Sequence, residues 1–147
     1  MKQIKGNLWD LHKKGKWITI PTNGSYKATG EAVMGAGLAL EAKIKFPHLP
    51  IVLGENLSDV GNLPWFFERY RLVTFPTKKS YTDSSADLSL IKNSCKVLVA
   101  RMDMFKITSL YMPRVGCGCG RLSWPVVEAL LVNYLDDRFT VVSLNGY

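Results

Sequence analysis

The stretch "ITSLYMPRVGCGCGRLSWPVVEALLVNYL", residues 107–135, sets a β-rich apolar run and a helical pattern on either side of five residues in which glycine alternates with cysteine. Three chemistries use such a segment: a metal clip, a redox pair, or a backbone cradle for an anion. Cys117 and Cys119 form a C-x-C pair, whereas a structural zinc site wants four ligands from paired clusters. The remaining candidates, Cys95, His12 and His48, are scattered singly. Disulfide exchange commonly uses C-x-x-C, not C-x-C. Alternating glycines let successive N–H groups turn towards one anion without side-chain obstruction. A strand before the loop and a helix after it put those groups where open α/β sheets take ligands. A glycine-rich turn with no ligand has the same composition, so this loop does not decide alone.

The theme recurs upstream. "KWITIPTN" (16–23) reads as a short strand ending in turn residues. "MGAGLALEAKIKFP" (34–47) opens with glycines and becomes a helix with Leu38, Ala39, Ala42 and Phe46 on one face, stopped by Pro47. Two glycine-rich strand-to-helix junctions suggest a bound diphosphate. Neither the G-x-G-x-x-G dinucleotide fingerprint nor a Walker A loop is present. "TFPTKKSYTD" (74–83) ends a strand with Lys78 and Lys79, candidates for phosphate neutralisation or for an amine nucleophile, or simply solvated loop lysines. Asn23 ends its strand either as a turn residue or as a ribose or water ligand.

The other segments read as follows. "IVLGENLSDVGNLP" (51–64) is ambiguous and reads as a short helix and a loop. "WFFERYRLVTFP" (65–76) reads as a hairpin around Glu68 and Arg69. "SSADLSLIKNSCKVLVARM" (84–102) is a helix capped by Ser84, with Asp87 at N3 and an apolar stripe of Leu88, Ile91, Cys95, Leu98 and Met102. Cys95 on that stripe is a buried structural thiol. Ser123 caps a helix with Pro125 in its first turn, and "RFTVVSL" (138–144) is an apolar strand. Strands alternating with helices imply an α/β layered fold.

The totals frame this reading. The chain has 147 residues, 47% hydrophobic and 21% charged, which suits one globular domain over 1–147. No apolar run is long enough to span a bilayer, and "MKQIKGNLWDL" has no apolar signal core. Three cysteines suit reduced thiols in a cytoplasm. Nineteen Lys and Arg against twelve Asp and Glu leave +7, a balance that favours polyanionic partners. Trp9, Trp17, Tyr26, Trp65 and Tyr81 are candidates for base stacking, each with a role in the core as the alternative.

Together these segments resemble a macrodomain, the ADP-ribose-binding fold. "KGNLWDL" resembles the opening G-[DN]-[IL] motif, and "ITIPTN" the strand whose Asn sits near the distal ribose. "GEAVMGAGLALEAKIKFP" resembles the first loop and its helix, and "MPRVGCGCGRLSW" the second phosphate loop. The resemblance implies a three-layer α/β/α sandwich with a mixed, mostly parallel sheet. It is strongest to two glycohydrolase groups, one removing terminal ADP-ribose from protein and one removing it from thymidine in DNA. Both use a lysine after the P/I-T turn, here Lys78. In the protein-directed group a reactive Asp follows the glycine loop. That position here is Gly120, as in the DNA-directed group. "GSYKATGEAV" (24–33) is longer than in the DNA-directed antitoxin, and the opening Asp that contacts adenine appears as Asn7.

The resemblance implies an ADP-ribosyl glycohydrolase with Lys78 and Asn23 catalytic. The ligand would lie against Asn7, Leu8, Asn23, Met34, Gly35, Ala36, Gly37, Leu38, Thr77, Pro113, Val115, Gly116, Cys117, Gly118, Cys119 and Gly120. The expected partner is ADP-ribose or an ADP-ribosylated macromolecule, with single-stranded DNA among the candidates. No cofactor, metal or membrane is expected, and the chain is expected to act as a cytoplasmic monomer with no further C-terminal module. The alternatives are a reader that binds ADP-ribose without cleaving it and an ADP-ribose-1″-phosphate phosphatase. The last needs a group to activate water, and neither His12 nor His48 lies in a motif for that.

Overall fold

A computed structural model describes residues 1–144. In chain order the elements are β1 (Lys2–Lys5), α1 (Leu8–Lys13), β2 (Ile18–Asn23), α2 (Gly37–Lys45), α3 (Leu49–Val60), β3 (Trp65–Phe67), β4 (Leu72–Lys78), α4 (Leu88–Phe105), β5 (Leu110–Met112), α5 (Trp124–Leu131) and β6 (Phe139–Ser143). The strands form one sheet in the order β1-β6-β5-β2-β4-β3. Every neighbouring pair is parallel except β3 with β4, the expected hairpin. No helix among the described residues is long and apolar enough to cross a membrane.

Period-2 alternation divides the strands between two cores, one on each face. Leu72 and Val142 face a cluster with Leu8 of α1, Ala39 and Ala42 of α2, and Leu49, Leu53 and Leu57 of α3. Their neighbours Val73 and Val141 face the opposite cluster, with Ile91, Cys95, Leu98 and Met102 of α4 and Val127 and Leu131 of α5. Helices cover both faces, so the architecture is the expected three-layer α/β/α sandwich.

The structure corrects the start of α4. Its N-cap is Asp87, not Ser84, and the Asp87 carboxylate accepts from the amides of Ser89 and Leu90 at 2.8 and 3.2 Å. The helix begins late because the preceding amides are diverted: Ala86 donates to Gly120 O and Asp87 to Thr77 O. Leu88 then falls at the first helical position, 38% exposed, and leaves the apolar stripe. Ser123 does occupy the cap position of α5, but its side chain makes no capping bond.

Residues 51–64 are helical as far as Val60 and form a loop from Gly61, the helix and loop expected there. α3 starts two residues before Ile51, buries Leu49, Leu53 and Leu57 at four-residue spacing, and contains Gly54. That glycine has a packing reason: a Cβ there would lie 1.8 Å from the Gly30 carbonyl oxygen. The loop before α2 therefore rests directly on the backbone of α3. β1 and α1 had no sequence expectation. β1 is exposed along its length and lysine-rich, which suits an edge strand, while α1 has only six residues.

Candidate functional site

The order of strands determines where a ligand can enter. The chain passes from β2 to β4 on one side, then through α4 to β5 on the other side of β2. This reversal opens a crevice at the carboxyl ends of the parallel strands. A cavity of about 430 Å³ lies there. It is lined by Asn23 from β2, by Met34 to Ala39 at the head of α2, by Thr77 and Lys78 from β4, and by Pro113, Gly116, Gly118, Cys119 and Gly120 after β5. A second cavity of about 270 Å³ shares Leu38, Pro113 and Arg114 with the first and continues to Asn7, Leu8 and Trp9. Residues from five separate sequence segments thus meet in one elongated cleft.

Two sets of backbone donors frame the larger cavity. Ala36 is the N-cap of α2 and offers no side-chain cap, so the amides of the first turn lack the partner such a position usually supplies. Across the cleft, Cys117, Arg121 and Leu122 spend their amides on Arg114 O, Gly118 O and Gly116 O. The amides of Gly118, Cys119 and Gly120 donate to no acceptor among the described residues. The two loops approach closely: a Cβ on Gly37 would sit 3.6 Å from Cys119 Sγ. Converging amides and a helix N-terminus make a concavity suited to an anion.

At one end of the cleft stand the two polar side chains. The β2–β4 register shifts between Thr22 and Asn23, so that Thr22 pairs with Pro76 and Asn23 with Lys78. Thr77 is the extra residue of this bulge, and its hydroxyl donates to Thr22 O at 3.4 Å. Bulges re-aim side chains beside functional sites, and this one brings Lys78 opposite Asn23. Lys78 Nζ donates to Cys119 O at 3.3 Å, while Asn62 Nδ2 donates to Lys78 O at 3.1 Å. Asn23 bonds through both ends of its carboxamide: Nδ2 donates to Val33 O at 3.1 Å, and Oδ1 accepts from Ser25 N at 2.9 Å. It therefore ties the first loop to β2 while keeping one further N–H and one lone pair for a ligand. Lys79 turns away and pairs with Asp87 Oδ2 at 3.7 Å.

At the other end, Asn7 is the N-cap of α1 and its Oδ1 accepts from Trp9 N at 2.9 Å. Of the expected ligand residues, Val115 and Cys117 line neither cavity. Val115 is fully buried in the core under α4, and Cys117 packs against that core with its thiol bonded to Val115 O. Arg114, Thr22 and Tyr81 line the larger cavity without having been expected there. A basic residue just after β5, in "MPRVG", was the available signal for Arg114. His12 is elsewhere, donating to Tyr70 O at 2.7 Å and packed against Trp9 and Phe46. His48 is exposed ahead of α3. Neither lines either of the two cavities described.

The chain resembles known proteins in both sequence and shape. No family model matches it. It is 29% identical over 162 residues to the DNA ADP-ribosyl transferase–DNA ADP-ribosyl glycohydrolase fusion protein of Thermosipho africanus, covering 90% of this chain and 38% of that protein. Among solved structures it matches the macrodomain of Thermus aquaticus DarG with a TM-score of 0.72 and 24% identity, covering 96% of this chain and 95% of that one. The chain has the macrodomain fold. A Thermosipho africanus DarTG structure in complex with ADP-ribose matches the macrodomain with a TM-score of 0.70 and 24% identity, over 88% of this chain and 38% of that one. The macrodomain thus spans well under half the length of the fusion protein that it resembles.

The three cysteines differ in burial: Cys95 is buried, Cys117 intermediate and Cys119 exposed. Burial pushes the Cys95 thiol up to about 12, and desolvation raises that of Cys117, opposed by the nearby Arg114 guanidinium. Cys119 is the exposed one. Iodoacetamide at mildly alkaline pH should alkylate Cys119 first and leave Cys95 unmodified until the macrodomain unfolds. Peptide mass mapping checks the order. Early labelling of Cys95 would contradict the burial of α4. Gly120 carries a second expectation. A Cβ there would meet Gly116 O at 2.4 Å and Ala86 Cβ at 2.8 Å. Gly120→Asp should lower the melting temperature and gain no activity, because the loop must open to admit any side chain. Unchanged melting of that variant would refute the packing argument.

Proposed function

We propose that this macrodomain is an ADP-ribosyl glycohydrolase that releases ADP-ribose from a modified nucleic-acid base. One observation carries the reading: two facing groups of unspent amides flank a cavity whose end is formed by Lys78 and Asn23. The diphosphate would lie between the first turn of α2 and the Gly118–Gly120 amides. The adenosine end would extend towards Asn7 and Leu8, and the distal ribose towards Asn23. The fusion protein it resembles is named for both making and removing ADP-ribose on DNA. The positive balance of the chain suits a polyanionic substrate.

In the reaction, the bond from the anomeric carbon to the base nitrogen breaks through an oxocarbenium-like state. Water supplies the hydroxyl to that carbon, and the departing base takes up a proton. Lys78 serves either as the amine that first attacks the carbon or as the cation that stabilises the departing group. The pH–rate profile separates these roles: a rate rising with pH marks the neutral amine, and a rate falling with pH marks the ammonium.

The direct test is turnover of single-stranded DNA carrying ADP-ribosyl-thymidine, run beside a calorimetric titration of ADP-ribose. Binding with release supports the glycohydrolase. Binding without release makes the protein a reader. Absence of binding defeats the assignment of the two loops.

A further inference from the structure

Five aromatic residues are candidates for stacking on a base, and the structure divides them. Trp9 already packs edge-on to His12 and lies under Lys45 Nζ at 4.9 Å. Trp17 packs on Phe66, and Trp65 carries the Arg101 guanidinium at 4.5 Å. Tyr26 and Tyr81 differ. They are 52% and 60% exposed. Among the described residues neither ring meets another ring or a cation, and neither hydroxyl makes a hydrogen bond.

Their backbones are nevertheless held close together at the Lys78 end of the cleft. Tyr81 lines the larger cavity. Its amide donates to Ser25 Oγ at 3.1 Å, and Ser25 precedes Tyr26. Ser25 Oγ in turn donates to Ser80 Oγ at 3.3 Å. Tyr26 begins a small hairpin closed by its bridge to Ala32 and by Lys27 N to Glu31 O. The hairpin's far side rests on α3, where Ala32 N donates to Pro50 O. Both rings are thus free, while the segments that carry them are fixed. Lys27 follows Tyr26 in the chain and is exposed.

We infer that Tyr26 and Tyr81 form a stacking site for the base from which ADP-ribose is released, or for its neighbour in a single strand. A flat π-face is what an unpartnered phenol ring on a fixed segment binds well, and the adjacent Lys27 suits its phosphates. This inference rests on the glycohydrolase reading of the cleft.

The test uses a fluorescein-labelled oligothymidylate in anisotropy titrations at low salt, with calorimetric titration of ADP-ribose into the wild-type protein. Tyr26→Ala and Tyr81→Ala should each weaken oligothymidylate binding about fivefold or more. Tyr26→Phe and Tyr81→Phe keep the π-face and should bind as the wild type does. Equal affinity of the alanine variants and the wild type overturns the inference. So does equal loss in the phenylalanine variants, which puts the contact on the hydroxyls. Wild-type protein that takes ADP-ribose but not the oligonucleotide points to a protein target and overturns the stacking site alone. Wild-type protein that takes no ADP-ribose defeats the glycohydrolase reading, and the inference with it.

Discussion

Lys78→Ala should abolish measurable release of ADP-ribose, a loss of ~100- to 10,000-fold, while binding ADP-ribose within a few-fold of wild type. The asymmetry follows from the geometry. The cradle is made of main-chain amides at the head of α2 and in the loop after β5, none of which belongs to Lys78. The lysine reaches the cleft from the last position of β4 and donates to the second loop at Cys119 O. Truncating it removes a functional group at one end of the ligand and a single solvent-exposed hydrogen bond, worth little to the fold. Calorimetry for affinity and chromatographic detection of released ADP-ribose separate the two effects. Retained turnover would refute the lysine's role. Parallel loss of binding and turnover would mean that the lysine grips the ligand instead of acting on it.

Gly54→Ala should be the most damaging conservative change outside the cleft. Alanine ordinarily favours a helix interior over glycine by roughly 1 kcal/mol. Here the added methyl would sit 1.8 Å from Gly30 O, 2.9 Å from Ala32 N and 2.9 Å from Gly30 C, all main-chain atoms that no rotamer change can move aside. α3 or the hairpin must shift, at a cost of about 3 kcal/mol, which is a fall of roughly 10 °C in melting temperature. The same shift would disturb Val33, whose carbonyl holds Asn23, so ADP-ribose affinity should fall as well. Thermal unfolding with and without ADP-ribose measures both. A variant as stable as wild type would show that the helix and hairpin are not in direct contact.

Legibility followed how local each signal was. β2, β4, β5 and β6 were readable because their apolar β-rich residues reflect burial between two helical layers. The two glycine-rich junctions at the cleft were readable because a tight turn with exposed main chain leaves a trace in glycine. α3 was obscured by Pro50 in its first turn and by Gly54, whose reason is a contact with a residue 24 positions earlier. The cap of α4 was misread because Ser84 is a good local choice, yet tertiary hydrogen bonds from Ala86 and Asp87 hold the chain extended past it. β1 carried no hydrophobic pattern, since its pairing with β6 uses main-chain atoms and its side chains face water. In the cleft, the bulge that sets Lys78 opposite Asn23 depends on pairing between two distant strands. No single segment encodes it.

The hairpin over residues 24–33 has a consequence of a different kind. It is closed by its own main chain and seated on α3, and its tip at Lys27–Gly30 is exposed. The tip contributes nothing to the amides that would hold the diphosphate. Under the proposed function, changes at the tip would leave the hold on the diphosphate untouched and alter only what lies beyond Lys78 and Asn23. On the proposed reading, the grip on the ligand and the surface that would meet the target are built from separate segments, so residues at the tip can be rewritten without altering the grip.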